Sequence, residues 1–171
     1  MELAQRGVYR SQDRIRAFLL RVFGRGGEGP VAGRLGNHLQ LQPVITVAED
    51  GRSAKVRSRM LQQMSFGERA SLGAAIYENE AVKEDGVWKL SKVHAFNTFT
   101  ASYRGGWAKG ANPTLPGPSQ DFPPDGPPTK VYQAFPDVSD IPFHYANPVS
   151  GRTEVPALAL GAAVAGSDAQ H

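Results

Sequence analysis

ASLGAAIYENEAVKEDGVWKLSKVHAFNTFTAS, residues 70–102, is the stretch that decides the fold. Two runs rich in apolar, aromatic and β-branched residues flank Asp85-Gly86, a dipeptide suited to the positive φ angles of a two-residue hairpin turn. Such a turn sets Glu84 opposite Val87. Continued outward, the register places Tyr77 opposite His94 and Ala75 opposite Phe96, so that Trp88, Leu90, His94 and Phe96 share one face. A second turn of this kind, Asp50-Gly51, and a looser one at Phe66-Gly67-Glu68 lie upstream. Together they predict a meander of four strands at about 36–48, 53–65, 70–83 and 87–102. Strands of that length exceed the usual ~5–6 residues and must twist or bend, and the sheet then curls around whatever covers its inner face.

The first hairpin carries its own register. If Glu49 opposes Arg52, then Ile45, Val47, Ala54, Val56 and Met60 share the apolar face and Lys55, Arg57 and Arg59 lie outside. His38 and Gln40 join the apolar face only if one extra residue is inserted. Pro43 has no N–H to give to a ladder and is housed most easily at a bulge or an edge, so a bulge at Gln42-Pro43 is predicted.

Upstream, Ser11 precedes Ile15, Phe18, Leu19 and Val22, the spacing of an amphipathic helix over 11–23, with Gly24 expected as its left-handed cap. Downstream, Pro113, Pro116, Pro118, Pro123, Pro124, Pro127 and Pro128 rule out a helix or a central strand and predict an extended arm. Val131, Tyr132, Phe135, Ile141, Phe143 and Tyr145 give that arm more apolar surface than a disordered segment needs, so it is expected to lie on the domain or on a neighbouring subunit. The expected organisation is a domain at 1–112, a Pro-rich arm at 113–150 and a flexible tail at 151–171.

Composition narrows the function. With 171 residues and no cysteine, the chain suits one domain without disulfides, thiolate metal sites or a cysteine nucleophile. No apolar run reaches the ~20 residues of a membrane span and no secretory signal is evident, so the expected location is cytoplasmic. Residues 1–112 hold 17 Lys and Arg against 10 Asp and Glu, but these cations are dispersed rather than blocked together. They read as a solvated face, and no nucleic-acid partner is expected.

Three segments carry a family resemblance. Gly7 to Leu19 resembles a short strand entering a helix, and His38 to Pro43 with Val44-Ile45 and Asp50-Gly51 to Ala54 is similar to a His-bearing hairpin. Ile76 to Glu80 with Asp85 to Leu90 resembles a closing hairpin. In this order and spacing they look like the SnoaL-like branch of the nuclear transport factor two-like superfamily, over roughly residues 3–103. The resemblance implies an α+β fold: a strongly curved antiparallel sheet of four long strands, plus a short N-terminal strand, packed on a helix in a cystatin-like cone. It also implies a helical hairpin ahead of the first strand, and this chain starts too late to contain it. Three explanations are open: the sequence is a fragment or an early-truncated gene model, a partner supplies the cap, or the tail folds into the gap; a homo-oligomer is expected.

The resemblance further implies an apolar pocket for a small hydrophobic cyclic molecule, with dehydratase, isomerase or cyclase chemistry and no cofactor. His38 is the candidate general base, since an imidazole takes a proton near neutral pH; the competing reading is a structural histidine bonded to Gln62 or to a backbone carbonyl. Tyr77 and His94 are candidates to polarise a substrate oxygen, or are simply an aromatic cross-strand pair. Gln40, Met60, Gln62, Met64 and Phe96 are the candidate pocket residues, though core packing accounts for the apolar ones equally well. Glu78 and Glu80, at i and i+2, read as solvated rather than as a metal pair. The segment Arg104 to Gly110 lacks Walker spacing, and Trp107 is expected to anchor the chain there. Gly-x-Ser-x-Gly and His-Glu-x-x-His are absent, which leaves hydrolase and metalloprotease readings without a motif. The alternative to an enzyme is a non-catalytic binding or oligomer-supporting module, like the small subunit of aromatic-ring dioxygenases.

Overall fold

The computed structural model describes residues 1–24, 29–109, 111–112 and 114–153. The expected flexible tail lies outside the described residues beyond Thr153. The elements run β1 (Glu2–Leu3), α1 (Gln12–Phe18), β2 (Arg34–Val47), β3 (Ser53–Phe66), β4 (Arg69–Glu84), β5 (Val87–Lys92), β6 (His94–Ser102) and a one-turn α2 (Gly106–Lys109). The sheet is open, curved and mixed, in the order β1-β6-β4-β3-β2, with β5 also pairing to β4. Only β1 against β6 is parallel. The fold is α+β, as the resemblance implies.

The first three long strands begin and end within two residues of the predicted limits, and the fourth is broken at Val93 into β5 and β6. In the first hairpin Val47 faces Ala54 and Ile45 faces Val56, as predicted. The bulge forms between Leu41 and Val44, with Gln42 at φ 49°. Its extra residue rotates the start of β2, so Gln40 faces Met60 and His38 faces Gln62.

The second hairpin corrects the predicted register. Asp85 and Gly86 have φ 51° and 79° and Glu84 faces Val87, as the two-residue turn requires. Ala81 still faces Leu90, but Glu80 faces Lys92, because Ser91 is an additional residue in the strand. Tyr77 therefore faces Ala95, not His94, and Ala75 faces Asn97, not Phe96. A one-residue slip turns side chains to the opposite side, so His94 and Phe96 do not share a face with Tyr77, Trp88 and Leu90.

Each side of the sheet has its own cover. Leu3, the partner of Ala95, packs with Phe18, Tyr9, Ile15 and Val22, which puts α1 on the same side as Tyr77 and Met60. Ser11 starts α1 by accepting the Arg14 N–H at 3.3 Å. Its end differs from expectation: the chain continues in a π-helical turn, Leu19–Phe23. Gly24 stays right-handed at φ −75° and donates its N–H to the Leu19 carbonyl, so no left-handed cap forms. Trp107 in α2 is 66% exposed, so the expected anchor is not a buried one.

The Pro-rich arm touches both sides, joining the helix-side cluster at Phe122 and then covering the other side. Phe122 joins the Tyr9–Phe18 cluster, and the Tyr9 hydroxyl donates to the Phe122 carbonyl at 2.9 Å. Thr129 then bonds to Glu2, the Phe135 N–H bonds to the Thr98 carbonyl, and Tyr132 and Ile141 close over Ile76 and Phe96. These large apolar contacts, with Phe18 and Phe96 at 0% and 2% exposure, show why a segment without regular structure holds its place.

Candidate functional site

Residues 36–41 and 54–64 bring most of the predicted pocket group to the helix side. Row by row, His38 lies beside Gln62 and Gly73, Gln40 beside Met60 and Ala75, and Ser58 beside Tyr77. Met64 shares this side, next to Gly36. Ser58 donates to the Gln40 amide oxygen at 2.7 Å, and the Tyr77 hydroxyl points to the Met60 sulfur at 3.7 Å. A Cβ at Gly73 would stand 3.3 Å from the Gln62 amide oxygen and 3.1 Å from the Phe99 carbonyl, so glycine leaves the room that Gln62 occupies. Burial pushes the Tyr77 phenol up and holds the His38 imidazole below its ordinary value.

The enclosure predicted around His38 is incomplete. His38 and Gln40 are exposed on β2, an edge strand, and the His38 ring makes no hydrogen bond to any described residue. Gln62 faces it across the ladder without bonding to it. From the His38 row to the Tyr77 row is four residues of β3, or about 13 Å at ~3.3 Å per residue. The two therefore cannot hold one atom between them. Shaped space on this side lies in a groove of about 530 Å³ beside Gly36, lined by Leu20, Phe23, Val31 and Arg34, and in one of about 450 Å³ between α1 and β5, lined by Ile15, Leu19, Leu20, Leu90 and Val93, with Arg16 and Lys92 at its polar positions.

His94 and Phe96 lie through the sheet, under the arm. Their rings stack at 3.9 Å, and Phe96 meets Tyr132 at 5.5 Å, so Phe96 is core rather than a wall of the helix-side pocket. His94 Nε2 is buried 3.4 Å from a Glu2 carboxylate oxygen without a hydrogen bond. Thr129 occupies both Glu2 oxygens, through its N–H and its hydroxyl, each at 2.8 Å. Burial lowers the His94 pKa, and the charge of Glu2 opposes that only in part.

Glu78 corrects its predicted solvation. It is buried to 13% side-chain exposure, forms an ion pair with Arg57 and accepts from His144 Nδ1 at 2.8 Å. Glu80 remains half exposed beside Lys92. Arg57 also donates to the Pro142 carbonyl at 2.9 Å and stacks on Phe143 at 4.0 Å. Neither predicted hairpin register reaches this pair, since Arg57 and Glu78 face each other across the looser Phe66-Gly67-Glu68 turn. His144 has no signal in the sequence either, because the path of a Pro-rich segment is not encoded in periodicity. Among the described residues no three His, Asp or Glu side chains group as a metal site.

The fold and both surfaces can be set against known proteins. A family model described as SnoaL-like domain matches residues 2–94, just over half of the chain, from β1 to the first residue of β6. A search of curated proteins found no match. The arm lies outside the matched span.

Proposed function

The chain belongs to the SnoaL-like family, of nuclear transport factor two-like type, and on that footing we propose that it holds a small, mostly hydrophobic cyclic compound on the helix side of its sheet. Members of this family often bind such compounds or act in isomerase or cyclase chemistry. In this reading the curved strands form the wall of a cone, Met60 and Met64 supply adaptable apolar contact, and Gln40 and Gln62 orient a polar end. His38 accepts the proton in dehydratase-, isomerase- or cyclase-type chemistry. The observation that carries the reading is the bulge at Gln42-Pro43, which turns His38 and Gln40 to the side of Met60, Gln62 and Tyr77. Partial desolvation is consistent with the role, since an imidazole held below its ordinary pKa is unprotonated at pH 7 and has a lone pair free to take a proton. Tyr77 stays protonated and donates only to a thioether, a weak acceptor that a carbonyl oxygen would displace.

A second reading, a binding or oligomer-supporting module without turnover, is favoured by one observation. β2 is an edge strand whose Leu39, Leu41, Ile45 and Val47 are 40%, 44%, 60% and 51% exposed, a surface suited to another subunit. The two readings separate in one experiment: wild type and His38→Ala are assayed on a panel of cyclic enones and hydroxy ketones while light scattering follows their mass. The enzyme reading expects turnover to fall by ~10²-fold or more with the mass unchanged. Equal turnover in the variant, or none in wild type, leaves the module reading.

A further inference from the structure

On the arm side, Thr46, His144 and Glu78 are joined in a line. Thr46 Oγ lies 3.1 Å from His144 Nε2, and His144 Nδ1 lies 2.8 Å from a Glu78 carboxylate oxygen. A carboxylate only accepts, so the Nδ1 position carries the proton and Nε2 presents its lone pair to the threonine hydroxyl. The second Glu78 oxygen is held by Arg57, whose guanidinium also binds the Pro142 carbonyl two residues before His144. One cation thus fixes both the carboxylate and the segment that carries the imidazole. The His144 ring is buried, with 7% side-chain exposure, whereas Thr46 is open to solvent on β2.

This order of groups is that of an activated nucleophile: a hydroxyl, a base within hydrogen-bond reach, and a carboxylate that orients the base. It also borders usable space. Thr46 and His144 line a cavity of about 290 Å³ at this end of the sheet, with Ala48 and Val82 as apolar wall and Glu80, across from Lys55, as a second carboxylate. Lys55 lines it too, sits across from Thr46 in the β2–β3 register, and has no hydrogen-bond or ion-pair partner among the described residues. Its ammonium is the group available to a developing oxyanion.

We propose that Thr46, His144 and Glu78 act as nucleophile, base and orienting carboxylate in the hydrolysis of small esters, at a site separate from the helix side of the sheet. Thr46 Oγ adds to the ester carbonyl carbon as its proton passes to His144 Nε2, and the carbonyl π pair moves to the oxygen beside Lys55. The carbonyl re-forms by expelling the alkoxide, which takes the proton from His144 and leaves as the alcohol, with Thr46 acylated. Water then adds to the acyl carbon, giving its proton to His144. Thr46 departs with that proton, and the free acid is released.

The test uses the full chain and 4-nitrophenyl acetate, reading nitrophenolate release together with peptide mass spectrometry for an acetyl group on Thr46. Wild type is expected to hydrolyse the ester above buffer and to carry the adduct at Thr46. Thr46→Val, isosteric at an exposed position, loses both; Thr46→Ser restores both; His144→Gln cuts the rate by ~10²-fold or more. His38→Ala leaves all of these unchanged, which separates this site from the function proposed above. Hydrolysis no faster than buffer, equal rates in wild type and Thr46→Val, or acetyl groups found only on lysines would overturn the proposal and leave the three residues as a fastening for the arm.

Discussion

His94 is where burial and charge compete at a single side chain. It is packed on Phe96, with Glu2 beside it on β1, Glu78 on β4, Lys92 on β5 and the N-terminal amine nearby. Burial dominates, so the folded state protonates this ring less readily than the unfolded chain, whose imidazole titrates near 6.5. Below that pH the unfolded state binds more protons, and stability falls with pH. The contribution of a neutral His94 is therefore complete above pH 6.5 and declines as the pH drops through 6.5 toward the lower folded value. His38, shifted in the same direction, adds with the same sign. Urea midpoints measured between pH 8 and 5 are expected to fall in wild type and to fall less in His94→Phe, which keeps the aromatic stack. An identical slope in the variant would place the pH dependence elsewhere.

Each hairpin shows how far a turn can specify a ladder. At Asp85-Gly86 the pairing follows from turn chemistry, and Glu84 facing Val87 is legible from the dipeptide; at Asp50-Gly51 the predicted register holds although only Gly51 is left-handed and the ladder closes at Val47 and Ala54. The bulge at Gln42-Pro43 is also legible, because a proline without an N–H marks where the ladder must yield. The extra residue at Ser91 leaves no such mark: Leu90, Ser91 and Lys92 are ordinary strand residues, and the shift it makes turns His94 and Phe96 beneath the arm. Hence the helix-side row of His38, Gln40, Met60 and Gln62 was readable, while the side to which His94 points was not. The joint between β1 and the arm offers a test at this scale. Gly7 has φ 85°, and a Cβ there would fall 2.6 Å from the Gly126 carbonyl and 2.7 Å from Pro124 Cγ. Gly7→Ala is expected to cost about 2 kcal/mol or more, combining left-handed strain with displacement of backbone. Chemical denaturation gives the magnitude. Faster hydrogen exchange at the Val8 and Asp125 amides, which bond across this joint, would locate the damage.

The molecule is a sheet between two unlike covers, and the arm is the cover without regular structure. Removing residues 113–171 strips Phe122 from Tyr9 and Phe18, and strips Tyr132 and Ile141 from Phe96 and Ile76. The shortened chain is expected to bind a hydrophobic dye strongly and to lose its cooperative urea transition; a sharp, wild-type-like transition would make the arm an accessory. The same arrangement governs when the protein can mature. The Tyr9–Phe122 and Glu2–Thr129 bonds join positions 113 and 127 residues apart, so the earliest residues made are completed by some of the last. A nascent chain that has delivered every strand still lacks the cover that Phe122 gives Tyr9 and Phe18 and that Tyr132 and Ile141 give Phe96 and Ile76. Its passage off the ribosome is thus an interval of exposure that ends only when translation reaches the prolines, which makes heat-shock chaperone demand during synthesis a property of this topology rather than of its final stability.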